Sequence, residues 1–269
     1  MKRRDDFLQI ILEDETTRDN NELIVDECLT FFFAGTQTSN LTSQNLVYML
    51  CKHPKYAEKI LQELESVIIQ PYLKEQVAAG KLQAGSTVNG LDLLDLMHFD
   101  NSGDLTFYSC CFNESLRMQP PVYHSSSNRV LQECKSDTLS IRRDSMFSID
   151  MHRLGNNPDE WIEPGKFIPE RFDPKSSYFL TPKGKTRNPF SFSPFLGGQR
   201  ICIGKTFIEA VSKVTVPTLL YYFKLELLDE IDPQKFEMPH NNMLMKHTIK
   251  LDLLMTAVSR KHTHKVTDE

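Results

Sequence analysis

The chain has 269 residues, of which 40% are hydrophobic and 25% charged, enough apolar side chain for a sizeable core and far from a disordered composition. A formal net charge of -5 and a pI near 5.9 give no basic footprint, which argues against nucleic acid as the main partner. The opening MKRRDDFLQIILEDE is charged at once, and its apolar run is too short for a signal peptide or a membrane span, so no transmembrane segment is expected in this chain.

In chain order, the periodicity predicts helices over 23–50, 54–69 and 105–118. The second follows the His53-Pro54 break and the third ends before Pro120-Pro121. Residues 78–90 read as a loop. Short alternating or β-branched segments at 138–141 and 146–151 read as small strands. Residues 154–200 are rich in proline and glycine and nearly aperiodic, longer than a compact domain tolerates without something to hold them. A helix resumes over 203–223, followed by an alternating segment at 246–253 and a polar tail. With no repeat or linker, residues 1–269 are expected to form one mainly α domain with small β-sheets (α+β), or part of one.

Six cysteines, Cys28, Cys51, Cys110, Cys111, Cys134 and Cys202, have no disulfide-framework spacing. Five are expected to be reduced core residues. Cys202 differs because Phe195-Leu-Gly-Gly-Gln-Arg-Ile-Cys-Ile-Gly204 places it at the start of a helix. There the macrodipole and unpaired backbone N–H groups stabilise a thiolate. Gly198 and Gly204 allow the backbone to wrap around a large planar ligand, and Arg200 supplies a cation for a carboxylate. A buried structural cysteine beginning a core helix is the alternative for Cys202 taken alone.

With Phe195, Gly198, Arg200, Cys202 and Gly204 all in place, the loop resembles the haem-binding loop of the cytochrome P450 family. That resemblance implies haem (iron protoporphyrin IX) with Cys202 as its iron ligand. Thiolate ligation favours O–O bond cleavage. It further implies a haem-dependent monooxygenase inserting one oxygen atom from O2 into an apolar organic substrate.

Phe31-Phe-Phe-Ala34-Gly35-Thr36-Gln37-Thr38-Ser39 spends helix propensity on Gly and hydroxyl residues. Ala34 and Gly35 remove bulk, and the Thr38 hydroxyl is expected to bond the Ala34 carbonyl and loosen the helix. A small-residue helix–helix contact is the alternative. The segment looks like the family's oxygen-binding groove, with Thr38 where the family steers protons. Gln37 stands where the family usually has an acid, and an amide does not titrate near neutral pH.

Glu114-Ser-Leu-Arg117 alone is the kind of pattern that occurs about once by chance in a chain this long. Its position before Pro120-Pro121 and upstream of Pro169-Glu-Arg171-Phe172 is similar to the family layout. That implies a buried structural network of Glu114, Arg117 and Arg171 pinning the 154–204 loop. By the same resemblance Arg129 is a second propionate contact, with an exposed strand-end arginine as the alternative. His152, Arg153 and Trp161 are packing landmarks, and the resemblance puts residues 122–127 and 242–245 at positions lining a substrate cavity, with ordinary loop residues as the alternative.

Residues 174–208 carry six basic side chains, Lys175, Lys183, Lys185, Arg187, Arg200 and Lys205, and no acid. They read either as a solvated loop or as a docking face. The expected partner is an NADPH-dependent flavoprotein reductase, docked through Lys183, Lys185 and Arg187. The resemblance starts just before the family's central helix, so the N-terminal half is expected to lie outside the chain and apolar surface to be exposed. A non-catalytic remnant that binds haem weakly or serves as an interaction partner, and a haem-thiolate isomerase or dehydratase, remain alternatives. By resemblance to eukaryotic relatives, the full-length form is expected on the cytosolic face of the endoplasmic reticulum membrane.

Overall fold

The computed structural model describes residues 6–88, 91–97, 101, 104–135, 138–228, 253–258 and 264–266. They divide into two compact units, residues 1–41 and 42–269.

The first unit holds α1, Phe7–Glu13, and the first part of α2, Asn21–Lys52. Asp6 caps α1 by accepting from the Gln9 amide, and the Asn20 side chain does the same for Leu23 at the start of α2. Phe7 and Phe31 meet with ring centroids 4.1 Å apart, while Phe32 and Phe33 are exposed. From Leu46 to Leu50 the same helix is buried, and this change of environment follows the unit boundary.

In the second unit the core is helical. Leu46 and Leu50 pack with Ile60 and Leu64 of α3 (Pro54–Leu64) and Leu73 of α4 (Gln70–Ala78). A π turn, Glu65–Ile69, joins α3 to α4, so the helical run continues beyond residue 69. Pro71 is tolerated there because it falls in the first turn of α4, directly after the π turn. After β1 (Thr87–Val88) and the short α5 (Leu93–Leu96), α6 spans Thr106–Met118. Glu63 of α3 caps α6, accepting from Phe107 N at 2.6 Å and Tyr108 N at 2.9 Å.

Beyond α6 come four two-residue strands. They are β2 (Asn128–Arg129), β3 (Cys134–Lys135), β4 (Ser140–Ile141) and β5 (Met146–Phe147), paired antiparallel as β2 with β5 and β3 with β4. Both expected strands are therefore shorter than their apolar patterns. Met151 opens α7 (Met151–Gly155) because Asp150 caps that helix by accepting from Arg153 N. Only 3-10 turns interrupt the stretch from 156 to 204.

α8, Lys205–Tyr222, packs against α3 and accommodates Pro217 within its length. It leads into β6 (Phe223–Leu227), which pairs antiparallel with β7 (Leu253–Ala257). The expected segment 246–252 and the cavity residues 242–245 lie outside the described residues. β8, His264–Lys265, pairs with β1. There the His264 ring lies between Glu65, at 2.8 Å, and the Tyr221 hydroxyl, at 3.0 Å. Among the described residues no helix is long and apolar enough to cross a membrane.

Among the described glycines Gly155 makes the tightest backbone approach, since a Cβ there would lie 2.3 Å from the Arg117 carbonyl oxygen. Gly155→Ala is expected to destabilise the chain by about 2 kcal/mol or more through overpacking. Gly165→Ala, where a Cβ meets nothing within 4 Å, should change stability by less than about 1 kcal/mol. Urea midpoints of the two variants make the comparison.

Candidate functional site

Glu114, on the buried face of α6, is the hub of the irregular segment. Its carboxylate takes Arg117 Nε at 2.7 Å, a second Arg117 nitrogen at 2.8 Å, Arg171 Nε at 3.0 Å and the Ile168 amide at 2.9 Å. All three side chains have 0% exposure. The remaining guanidinium N–H groups are absorbed by main-chain oxygens. Arg117 donates to Gly155, Pro164 and Lys166, and Arg171 to Ile162, Glu163 and Lys166. A buried charge must be fully satisfied to be tolerated. Here the satisfaction fixes a loop that has almost no secondary structure. Burial, ahead of the neighbouring charges, lowers the Arg171 pKa from its ordinary value.

Trp161 closes the network. Its indole donates to the Leu154 carbonyl at 3.0 Å, and its ring lies 5.2 Å from the Arg117 guanidinium and 4.4 Å from that of Arg187. Arg187 is half-buried and donates to the Tyr178 and Arg171 carbonyls. It therefore turns inward, whereas Lys183, 3.7 Å from Asp159, and Lys185 are exposed. The sequence pattern missed this because the aromatic ring and carbonyls that draw Arg187 inward are distant along the chain.

The cysteine loop follows directly. Phe192 packs edge-on to Trp161 and Phe172, and Leu196 and Gly198 both take positive φ, 61° and 69°. Glycine suits that conformation, whereas leucine pays for it in strain. The Cys202 amide donates to the Phe195 carbonyl at 3.0 Å, closing the loop on itself. α8 begins at Lys205 with Gly204 as its N-cap, two residues later than expected, because the turn through Cys202 and Ile203 precedes the first helical residue. A Cβ on Gly204 would sit 3.8 Å from Cys202 Sγ, an ordinary contact. Cys202, Ile201, Ile203 and Arg200 are all exposed. Among the described residues Arg200 has no ion-pair partner, and no three His, Cys, Asp or Glu side chains converge into a metal cage.

In the first unit, Ala34, Gly35, Gln37 and Thr38 lie within α2, which stays α-helical through all four. The Thr38 hydroxyl donates to the Ala34 carbonyl at 2.6 Å, and Thr36 to Phe32 in the same way. The expected Thr38 bond to Ala34 is therefore present, and both bonds run from a hydroxyl to the carbonyl four residues earlier. Nothing lies within 4 Å of where a Cβ on Gly35 would be. Arg129, on β2, is exposed and 3.9 Å from Asp144. His152 meets Tyr123 edge-on, while Arg153 faces solvent beside Asp150.

An exposed thiol on a buttressed loop ahead of a helix, two residues after an arginine with no ion-pair partner among the described residues, has donor chemistry suited to a haem-thiolate class of site. The Cytochrome P450 family profile matches residues 1–255, and the chain belongs to the cytochrome P450 family. Human cytochrome P450 4F8 is 28% identical over 86% of this chain, and mouse leukotriene-B4 omega-hydroxylase 3 is 28% identical over the same share. The chain spans 39% of the length of each. A solved structure of retinoic acid-bound cyanobacterial CYP120A1 matches 84% of this chain and 46% of its own, at 24% identity with a TM-score of 0.66, which shows the shared fold. Family membership implies haem as the cofactor. The donor chemistry here fits it: one accessible cysteine sulfur, flanking apolar Ile201 and Ile203, and a guanidinium available to a propionate.

The cysteines do not share one environment. Only Cys111 is fully buried. Cys134, expected in the core, is exposed because it lies on the two-residue β3, whose side chains face solvent. Burial pushes the Cys51 and Cys110 thiols up to about 11 and Cys111 well above its ordinary value. A raised thiol pKa means less thiolate, the reactive form. At pH 8 a thiol of pKa 11 is only about one part in a thousand thiolate. Iodoacetamide at pH 8 is expected to label Cys134 and Cys202 at least ~100-fold faster than Cys51, Cys110 and Cys111, read by peptide mass mapping.

Proposed function

We propose that this chain is the cysteine-ligand portion of a haem-dependent monooxygenase domain, with Cys202 as the iron ligand. The observation that carries the reading is the exposed Cys202 thiol on a loop fastened through Phe195 and anchored by the buried Glu114 network. When bound, haem supplies the redox chemistry that activates dioxygen. Arg200 and Arg129 would neutralise the propionates, while Phe195, Gly198 and Gly204 shape the loop. Ala34 and Gly35 keep bulk away from the oxygen side of α2. Thr38, already turned to the Ala34 carbonyl, would hold a water that hands on protons. Gln37 would orient that water without titrating.

The substrate is an apolar organic molecule, and leukotriene B4, in the name of the mouse relative, is the substrate to test first. Electrons would come from an NADPH-dependent flavoprotein reductase that meets the exposed Lys183 and Lys185. The cytosolic face of the endoplasmic reticulum membrane is assigned on family resemblance alone. Gln37 in place of an acid also supports a second reading, a haem-thiolate isomerase or dehydratase. Product formation without NADPH distinguishes that reading from the monooxygenase.

The test is the absorption spectrum of the haem-reconstituted chain, reduced and exposed to carbon monoxide. The expected result is a strongly red-shifted Soret band that disappears in Cys202→Ala. Haem should also protect Cys202, and not Cys134, from alkylation. A band unchanged in Cys202→Ala, or equal labelling of both cysteines with haem present, would sink the assignment.

A further inference from the structure

The turn between β4 and β5 carries two adjacent arginines and a hydroxyl that no other part of the site uses. Arg142 and Arg143 are exposed and stand three and two residues before Ser145, and Met146, 62% exposed, follows it. The chain turns tightly here. Asp144 takes a positive φ of 66°, which aspartate tolerates, and the Ser145 amide donates to the Arg142 carbonyl at 3.2 Å. The Val130 amide donates to the Ser145 carbonyl at 2.9 Å. Among the described residues the half-buried Ser145 has no hydrogen-bond partner for its hydroxyl, and Arg142 has no ion-pair partner. Asp144 lies between two other arginines, 3.6 Å from Arg143 Nε and 3.9 Å from Arg129 Nε, and all three side chains are exposed. Glu133, beside β3, is taken by Lys135 at 3.1 Å.

We propose that Ser145 is a phosphorylation site for a protein kinase that selects a pair of arginines on the N-terminal side of its target hydroxyl. A guanidinium presents a planar fork that a carboxylate of the kinase can grip with two hydrogen bonds, and kinases choose substrates partly by such charge patterns. Arg142 is free to be gripped, and Arg143 gives up only an exposed, long contact with Asp144. In the transfer, Ser145 Oγ forms a bond to the γ-phosphorus of Mg-ATP, the bond to ADP breaks, and the hydroxyl proton passes to the catalytic aspartate of the kinase. Access requires the turn to open. The strand pairs that flank it are only two residues long, so few backbone bonds oppose opening. Thr186 also follows basic residues, Lys183 and Lys185, but lysines lack the planar fork.

The product carries about −1.5 to −2 of charge directly after Asp144. It repels that carboxylate and competes with it for Arg143 and Arg129. Arg129 faces Met146 across the pairing of β2 with β5, one residue from Ser145, and is one of the two cations assigned to the haem propionates. Phosphorylation would therefore draw Arg129 away from haem. That consequence rests on the haem reading, whereas the modification itself does not.

The test incubates the intact chain with Mg-ATP and the catalytic subunit of cyclic-AMP-dependent protein kinase, an arginine-directed enzyme, and locates phosphate by peptide mass mapping. Stoichiometric incorporation at Ser145 is expected. Arg142→Gln and Arg143→Gln should each lower kcat/KM for the transfer at least ~10-fold. Arg18→Gln, at an exposed arginine elsewhere, should leave it unchanged. Because the site is mapped on the unaltered chain, the result stands even if a variant folds poorly. No phosphate at Ser145, incorporation mainly at Thr186, or transfer insensitive to both arginine changes would each overturn the proposal. The phosphorylated chain should bind haem about 2- to 5-fold more weakly, the weight of one exposed ion pair. If Ser145 is phosphorylated while haem affinity does not change, the modification site stands and Arg129 is removed from the propionate contacts.

Discussion

One carboxylate organises the longest irregular stretch of this chain. Glu114 is wholly buried, and two guanidiniums and a backbone amide converge on it. Such a cluster contributes little net stability compared with an apolar core, since desolvation costs about as much as attraction returns. What it gives is a unique arrangement. Arg117 and Arg171 have more donors than Glu114 can accept, and the surplus reaches the carbonyls of residues 155, 162, 163, 164 and 166. Gly155 ends α7, and the other four carbonyls belong to a segment without helix or sheet to satisfy them. The arginines do the work of a missing secondary structure.

The consequences run outward from that hub. Trp161 covers Arg117, Phe192 packs on Trp161, and three residues beyond Phe192 the loop turns at Phe195, whose carbonyl holds the Cys202 amide. Gly155 has no Cβ because the Arg117 main chain occupies that space. The sulfur is presented on a short loop whose conformation is set by contacts far from it in sequence. Ile203, 82% exposed, and Phe207, 60% exposed, lie alongside. The chain spans 39% of the length of these relatives, and apolar side chains left open at Ile203 and on α8 are the kind of surface that a planar cofactor covers.

The parts legible in the sequence were those in which chemistry fixes spacing. Glu114 three residues before Arg117 could be read because a single helix face demands that interval, and the family could be read from the spacing of Cys202, its glycines and Arg200. The helices α2, α3, α6 and α8 were legible from periodicity, α8 through Pro217, but α4 was not. Ends were less so: α8 starts at Lys205 because Gly204 is its cap, and the helical run passes residue 69 because a π turn absorbs the irregularity. The inward turn of Arg187, the need for glycine at 155 and the His264 contact with Glu65 are set by groups between 9 and 199 residues away. No local pattern announces contacts of that kind.

The most direct test of this account is backbone hydrogen exchange in Glu114→Gln, with the exposed Glu58→Gln as control. The account predicts that protection is lost across residues 162–204, including the Cys202 amide, while α3 remains protected. Unchanged protection at Cys202 in Glu114→Gln would contradict it, because the loop would then be held by something other than the buried carboxylate.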